Sequence, residues 1–282
     1  MNNITIFVDS CSSVTVEQAK RIGVQIIPTI FTMDGIDYNP VKDNIISYDK
    51  YYEKLENKEF CKTSSINPST IIDFFKPYLK EGNDIIYITL SSGLSASYSN
   101  ALLAKDILND EFDNKIEIID SRTGSVGIQI CMNKVIELAN AGKSVTEIKE
   151  LVDANKLNVE SLFIVGSLDH LRRGGRLSTV SAFLGTILHI CPIICANELG
   201  KLEAHSKHRG RKKALKHIIE LAKEDILENE KVYIAYTNNL EEKEYLESAF
   251  KEIGLEVETG IIDYTMGAHC GPKTLAVFYR KK

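Results

Sequence analysis

Three times in its first half the chain repeats one local pattern: a continuous apolar stretch, a polar loop, then a segment with helical spacing. Residues 4–8 lead into Asp9-Ser10-Cys11-Ser12-Ser13 and the helical pattern of residues 16–22. Residues 84–90 lead into Ser91-Ser92-Gly93 and a helix through Ala101 and Leu102. Residues 116–119 end at Asp120-Ser121-Arg122-Thr123-Gly124. Apolar strands without alternation must be covered on both faces, and strands alternating with helices do this as a parallel sheet. Ligands of such sheets sit beyond the carboxyl ends of the strands, so the three loops are predicted to share one edge.

Other signals punctuate this frame. Asp34-Gly35, between residues 30–33 and 36–38, marks a tight hairpin. Asn67-Pro68 opens a helix with Asn as cap and Pro at the first helical position, and Ser144-Val145-Thr146-Glu147 is a capping box. The polar stretch 155–158 separates a helix from a new strand at 162–165. Beyond it come a hairpin (193–196 with 202–204), a basic helix (211–227), a strand (232–236), a helix (240–250) and strands at 255–262 and 275–279. Two α/β domains are expected, residues 1–157 with a mainly parallel sheet and residues 158–282, with a ligand at their junction.

Composition narrows the function. A net charge of −5 over 282 residues argues against a general nucleic-acid binder. No apolar run reaches the roughly 20 residues of a membrane span, and the first residues lack a signal peptide's charged and apolar regions. A cytoplasmic protein without stable membrane insertion is expected. The six cysteines are scattered, several within apolar stretches such as Cys191-Pro192-Ile193-Ile194-Cys195, and read as buried thiols. The Cys-x3-Cys spacing followed by His205 and His208 lacks the two-residue spacing typical of structural zinc, so no metal is expected.

Four constellations can carry chemistry. Thr63-Ser64-Ser65, Ser91-Ser92-Gly93 and Ser95-Ala96-Ser97 offer clustered hydroxyl and backbone donors to an anion, although each also suits helix capping. Gly93-Leu94-Ser95-Ala96-Ser97 misses the nucleophile elbow of hydrolases at its last glycine. In Gly267-Ala268-His269-Cys270-Gly271-Pro272, a glycine-flanked histidine is placed in a loop between two strands, as base or donor. Leu171-Arg172-Arg173-Gly174-Gly175-Arg176-Leu177-Ser178 combines arginines with glycines but has no nucleotide-binding Walker pattern. A basic cluster runs from His205 through Lys207, His208, Arg209, Arg211, Lys212, Lys213 and Lys216 to His217, either a solvated face or a docking surface.

Taken together, these segments resemble the DegV family, which includes the fatty-acid-binding subunits of bacterial fatty acid kinase. The likeness rests on Phe7-Val8-Asp9-Ser10, Lys62-Thr63-Ser64, Leu90-Ser91-Ser92-Gly93-Leu94-Ser95, Ile119-Asp120-Ser121, the basic glycine motif and the His269 motif, in family order along the chain. The resemblance implies a long-chain fatty acid in a buried tunnel between two α/β domains, with no cofactor and no chemistry by the chain alone. It implies that Thr63, Ser92 and His269 hold the carboxylate, supported by Arg172, with Ser64, Ser91, Gly93 and Ser95 nearby. A separate ATP-dependent kinase would form the acyl phosphate, docking at Arg209, Arg211 and Lys212. The chain departs from the family at Ser65-Ile66-Asn67-Pro68 and Ser95-Ala96-Ser97-Tyr98, which leaves chain-length and unsaturation preference open.

The energetics suit such a ligand: burying about 15 methylenes at about 0.8 kcal/mol each gives on the order of 12 kcal/mol before association costs. Residues 26–28, Phe183-Leu184, Ile187-Leu188 and Ile193-Ile194 are expected to line the tail. The alternatives are a lipid carrier or sensor without a kinase, and an acyl hydrolase using Ser95 or His269.

Overall fold

The computed structural model describes residues 3–42, 45–176 and 190–282. In chain order its first half contains β1 (Ile4–Asp9), α1 (Val16–Ile22), β2 (Gln25–Ile27), β3 (Phe31–Met33), β4 (Ile36–Tyr38), α2 (Tyr48–Glu56), β5 (Cys61–Thr63), α3 (Pro68–Lys80), β6 (Asp84–Thr89), α4 (Ser97–Asn109), β7 (Ile116–Asp120), α5 (Val126–Asn140) and α6 (Val145–Asn155). The apolar repeats form a parallel sheet in the order β2-β1-β6-β7. Successive side chains of a strand point to opposite faces, and both faces are packed. Ile6, Val8, Ile86 and Ile88 meet Ala19 of α1, Ile128 and Val135 of α5, and Ile148 of α6. Phe7, Ile85 and Tyr87 meet Ile71 and Phe75 of α3 and Ala101, Ala104 and Leu108 of α4.

The loops after β1, β6 and β7 share one edge and are tied together. Asp9 accepts from the Leu90 N–H at 2.7 Å and from Tyr87 Oη, Ser91 N–H donates to the Thr123 carbonyl, and Ser125 N–H to that of Cys11. Asp34 and Gly35 take φ of 55° and 76°, as a two-residue turn of the favoured hand requires. The resulting hairpin pairs with β5 to make a small antiparallel sheet, β4-β3-β5.

The second half contains β8 (Val159–Ile164), α7 (Asp169–Arg173), β9 (Ile190–Ala196), β10 (Leu202–Arg209), α8 (Arg211–Asp225), β11 (Val232–Tyr236), α9 (Leu240–Glu252), β12 (Val257–Ile261), α10 (Tyr264–Cys270) and β13 (Leu275–Arg280). Its strands form one mixed sheet in the order β10-β9-β8-β13-β11-β12. The fold is thus two α/β domains, the first built on a parallel sheet. One face of the mixed sheet buries Ala214, Leu215 and Ile218 of α8 and Leu246 and Phe250 of α9. The other face packs Ile194, Ala235, Ala276 and Phe278 with Val126 and Ile130 of α5. The first half of α5 is therefore buried between the two sheets, while Asn133, Glu137 and Asn140 form an exposed stripe further along.

One element differs from expectation in a way that matters. The His269 segment is a helix, α10, rather than a loop. Asp263 caps it by accepting from the Met266 N–H at 3.0 Å, and Gly271, at φ 76°, ends it. The first half holds its start: Tyr51 Oη donates to the Tyr264 carbonyl at 2.6 Å, and Tyr52 Oη to that of Ile262 at 2.7 Å. All six cysteines are buried and none is in a disulfide. Among the described residues, no helix is long and apolar enough to cross a membrane, and no group of His, Cys, Asp or Glu is arranged to hold a metal ion.

Candidate functional site

Strand β5 pairs with β3 and ends at Thr63, opposite Phe31. Helix α10 arrives from the far end of the chain and places His269 beside it. Thr63 Oγ1 and His269 Nε2 are 2.8 Å apart, across 206 positions of sequence. The other imidazole nitrogen, Nδ1, is buried and has no hydrogen-bond partner among the described residues. It faces Gly174 closely: a methyl group added there would lie 2.2 Å from Nδ1. An orphan N–H in that position is costlier than an orphan lone pair, so the ring is best matched with its proton on Nε2. Nε2–H then donates to Thr63 Oγ1, leaving the threonine hydroxyl proton free to donate onward.

The same contact gives the basic glycine motif a physical reason. Helix α7 and helix α10 interlock reciprocally, His269 against Gly174 and the His170 ring against Gly271. Arg176 follows α7, and its Nε donates to the Leu94 carbonyl of the first domain at 3.0 Å while Nη1 donates to the Gly174 carbonyl. Burial, followed by the charge of Arg176, pushes the His269 pKa down to about 4. The imidazole is neutral at physiological pH, and the guanidinium supplies the local positive charge.

A cavity opens beside this pair and is lined by both side chains. Its polar lining includes Thr63, Ser64, Ser65, Ser95, Ser97, Arg176 and His269; Leu90, Leu94, Phe163, Met266, Ala276 and Phe278 are among its apolar walls. Thr63, Arg176 and His269 also border a separate outer cleft with Lys62 and Arg173. An anion at this point would meet hydroxyls and a cation, with an apolar chamber on one side and open access on the other.

Expected site residues divide into two groups. Thr63, His269, Ser64 and Ser95 come together on the cavity. Ser92 is exposed, does not line the cavity, and uses its backbone N–H on Asp120. Ser91 is buried but donates at 2.8 Å to the Gly200 carbonyl, and Gly93 packs on the same hairpin, so both dock one domain on the other. Arg172 points outward, its side chain 68% exposed and paired with Asp169 three residues back. Helical spacing explains this: Arg172 follows the buried Leu171 onto the outer face of α7. Arg176, from the same motif, takes the position by the cavity. Ser65 and Ser97, from the hydroxyl-rich segments, also line the cavity, as does Thr265. Of the expected tail-lining segments, residues 26–28 and Ile193-Ile194 are core rather than cavity wall, and Phe183-Leu184 and Ile187-Leu188 lie outside the described residues, as do Leu177 and Ser178.

The basic segment also divides. Arg209 and Lys212 are exposed. Arg211 instead pairs with Glu242 through two nitrogens, at 2.8 and 2.6 Å, and donates to the carbonyls of Val165 and Lys273. It is a structural clamp, and Arg211→Ala is expected to lower unfolding stability by about 2 kcal/mol in urea titration.

Ser95 Oγ is engaged with Ser97, and among the described residues no carboxylate orients His269 Nδ1, as an activated nucleophile would require. His269 titrates lower when folded than unfolded, so the unfolded chain binds more protons between about pH 4 and the ordinary histidine value of 6.5. The stability it contributes is complete above 6.5 and lost as pH falls toward 4. Comparing urea unfolding of the wild type and His269→Gln across that window should show a flatter dependence in the variant.

Comparison with known proteins agrees with this architecture. The model of the DegV family, described as a family of uncharacterised proteins, matches residues 3–282. A DegV domain-containing protein of Clostridium perfringens is 33% identical over 99% of this chain and 98% of its own. A fatty acid binding DegV family protein from Streptococcus agalactiae superposes with a TM-score of 0.88 at 24% identity, covering 99% of this chain and 98% of that one. A stearic acid-binding protein from Eubacterium ventriosum superposes at 0.83 with 24% identity, covering 99% of both. With residues 3–282 matched and a relative 33% identical over nearly its full length, the protein belongs to the DegV family.

Proposed function

We propose that the protein binds a long-chain fatty acid in the cavity, carboxylate at Thr63 and His269, and presents that carboxylate to a separate ATP-dependent kinase. The observation that carries this reading is the position of the Thr63–His269 pair, in the wall shared by an apolar chamber and an open cleft. The tail would lie along Leu90, Phe163, Met266 and Phe278, removing methylenes from water. The carboxylate would take the free hydroxyl proton of Thr63 and the charge of Arg176, since burying it unpaired would cost several kcal/mol. The likeness to fatty acid and stearic acid binders supports this ligand class.

The kinase would reach the carboxylate from the outer cleft, and Arg209 and Lys212 are the exposed cations proposed to dock it. The domain division at residues 157/158 belongs to the same reading, since it places Thr63 and His269 on opposite sides of the junction. A cytoplasmic location follows from the need for ATP. Acyl-phosphate formation, measured with a fatty acid kinase catalytic subunit and ATP, tests the proposal. Turnover is expected only with both proteins present, and Arg209→Glu with Lys212→Glu should raise the concentration needed for half-maximal turnover by about tenfold. Turnover by this chain alone, or none with any such kinase, would contradict the presenting role.

A further inference from the structure

The cavity has a polar feature beyond the Thr63–His269 pair. Helix α10 contributes Thr265, Met266, His269 and Cys270 to its wall. His269 also borders the outer cleft, whereas Thr265 does not, so Thr265 lies inward of it. Four residues separate them, about 6 Å along a helix axis. Thr265 is 4% exposed, and among the described residues its hydroxyl has no oxygen or nitrogen partner, only a weak contact with a thiol. Its polar neighbour is the Cys11 thiol, a weak acceptor that already contacts Thr29 Oγ1 at 3.4 Å.

Three other buried hydroxyls on the cavity wall have partners. Thr274 donates to the carbonyls of Cys270 and Gly271, Ser125 pairs with Ser13, and Ser97 with Ser95. Thr123 also lacks a partner, but its hydroxyl sits against Gly127 on α5. A plain methylene beside Thr265 would seal its hydroxyl away from water with only a weak thiol contact, whereas a ligand oxygen would satisfy it.

We propose that the cavity takes an acyl chain carrying a hydroxyl or keto oxygen near its carboxyl end, and that Thr265 hydrogen-bonds to that oxygen. The inference rests on the fatty-acid reading of the same site and specifies its substrate class. One helical turn between His269 and Thr265 sets the location: the oxygen belongs close to the carboxylate, not in mid-chain or at the methyl end. Ligand displacement of a fluorescent fatty acid tests it. The competitors are octadecanoic acid and its monohydroxy derivatives with the hydroxyl near the carboxyl, in mid-chain or near the methyl end. The proteins are the wild type, Thr265→Val and Thr265→Ser.

The wild type is expected to bind the near-carboxyl derivative at least as tightly as the parent acid. Thr265→Val should shift that ratio about tenfold against the hydroxylated ligand, and Thr265→Ser should restore it. The inference is overturned if a near-carboxyl hydroxyl weakens binding to wild type and Thr265→Val by the same factor, or if a mid-chain or methyl-end hydroxyl is preferred. If the wild type binds none of these acids, the parent included, the fatty-acid reading itself has failed and this inference with it.

Discussion

Replacing His269 with alanine is expected to lower the affinity for octadecanoic acid by roughly 10- to 100-fold, the effect of losing a hydrogen bond that supports a charged group. The side chain does two things at once. Its Nε2 holds Thr63 at 2.8 Å, fixing the hydroxyl that would meet the carboxylate. Its ring also fills the space between α10 and Gly174. A titration calorimetry series on the wild type, Thr63→Val and His269→Ala separates these roles. If His269 acts through Thr63, the double variant should be little weaker than either single one. Unaltered affinity in His269→Ala would remove the residue from the site.

The second large effect is expected at Gly174. Its backbone is ordinary, with φ of −74°, so an alanine there meets no conformational penalty. The obstacle is packing: the added methyl would sit 2.2 Å from His269 Nδ1 and 3.0 Å from its Cε1. Since α10 is held at its start by Tyr51 and Tyr52, the ring has to turn, breaking the bond to Thr63. Gly174→Ala should therefore cost about 1–3 kcal/mol of stability, as overpacking does, and weaken the fatty acid as His269→Ala does. With His269 already alanine the methyl has room, and Gly174→Ala should then cost about 0.5 kcal/mol or less. Equal costs in both backgrounds would mean that the motif's first glycine serves something other than the histidine.

Much of the fold was legible because its signals are local. Residues 16–22 were read as a helix and form α1 with those bounds; Asn67-Pro68, Ser144–Glu147 and Asp34-Gly35 cap or turn as their chemistry requires. What the local signals do not carry depends on contacts distant in sequence. The helical state of residues 264–270 rests partly on tyrosines more than two hundred positions earlier, and its two glycines pointed locally to a loop. Arg172 and Arg176 look equivalent in the string of residues, and only the end of α7 after Arg173 separates an outward side chain from one beside the cavity. Ser92 and Ser95 also look alike in the string of residues, and a hydroxyl's direction at a strand end is set by its neighbours: Asp120 and the Gly200 hairpin turn that loop. The tail-lining residues were hidden for a different reason. Cavity wall and core share a composition, and Phe163, Ala276 and Phe278 differ from their core neighbours only in which face of the sheet they occupy.

The central claim is that the chamber behind Thr63 and His269 holds a fatty acid. Mass spectrometry of an organic extract from the purified protein, set beside native mass spectrometry of the intact complex, tests it most directly. One acyl chain per protein molecule is expected, with occupancy reduced in His269→Ala. An extract without fatty acid, from a protein that also takes up none when a range of long-chain acids is added, would contradict the account.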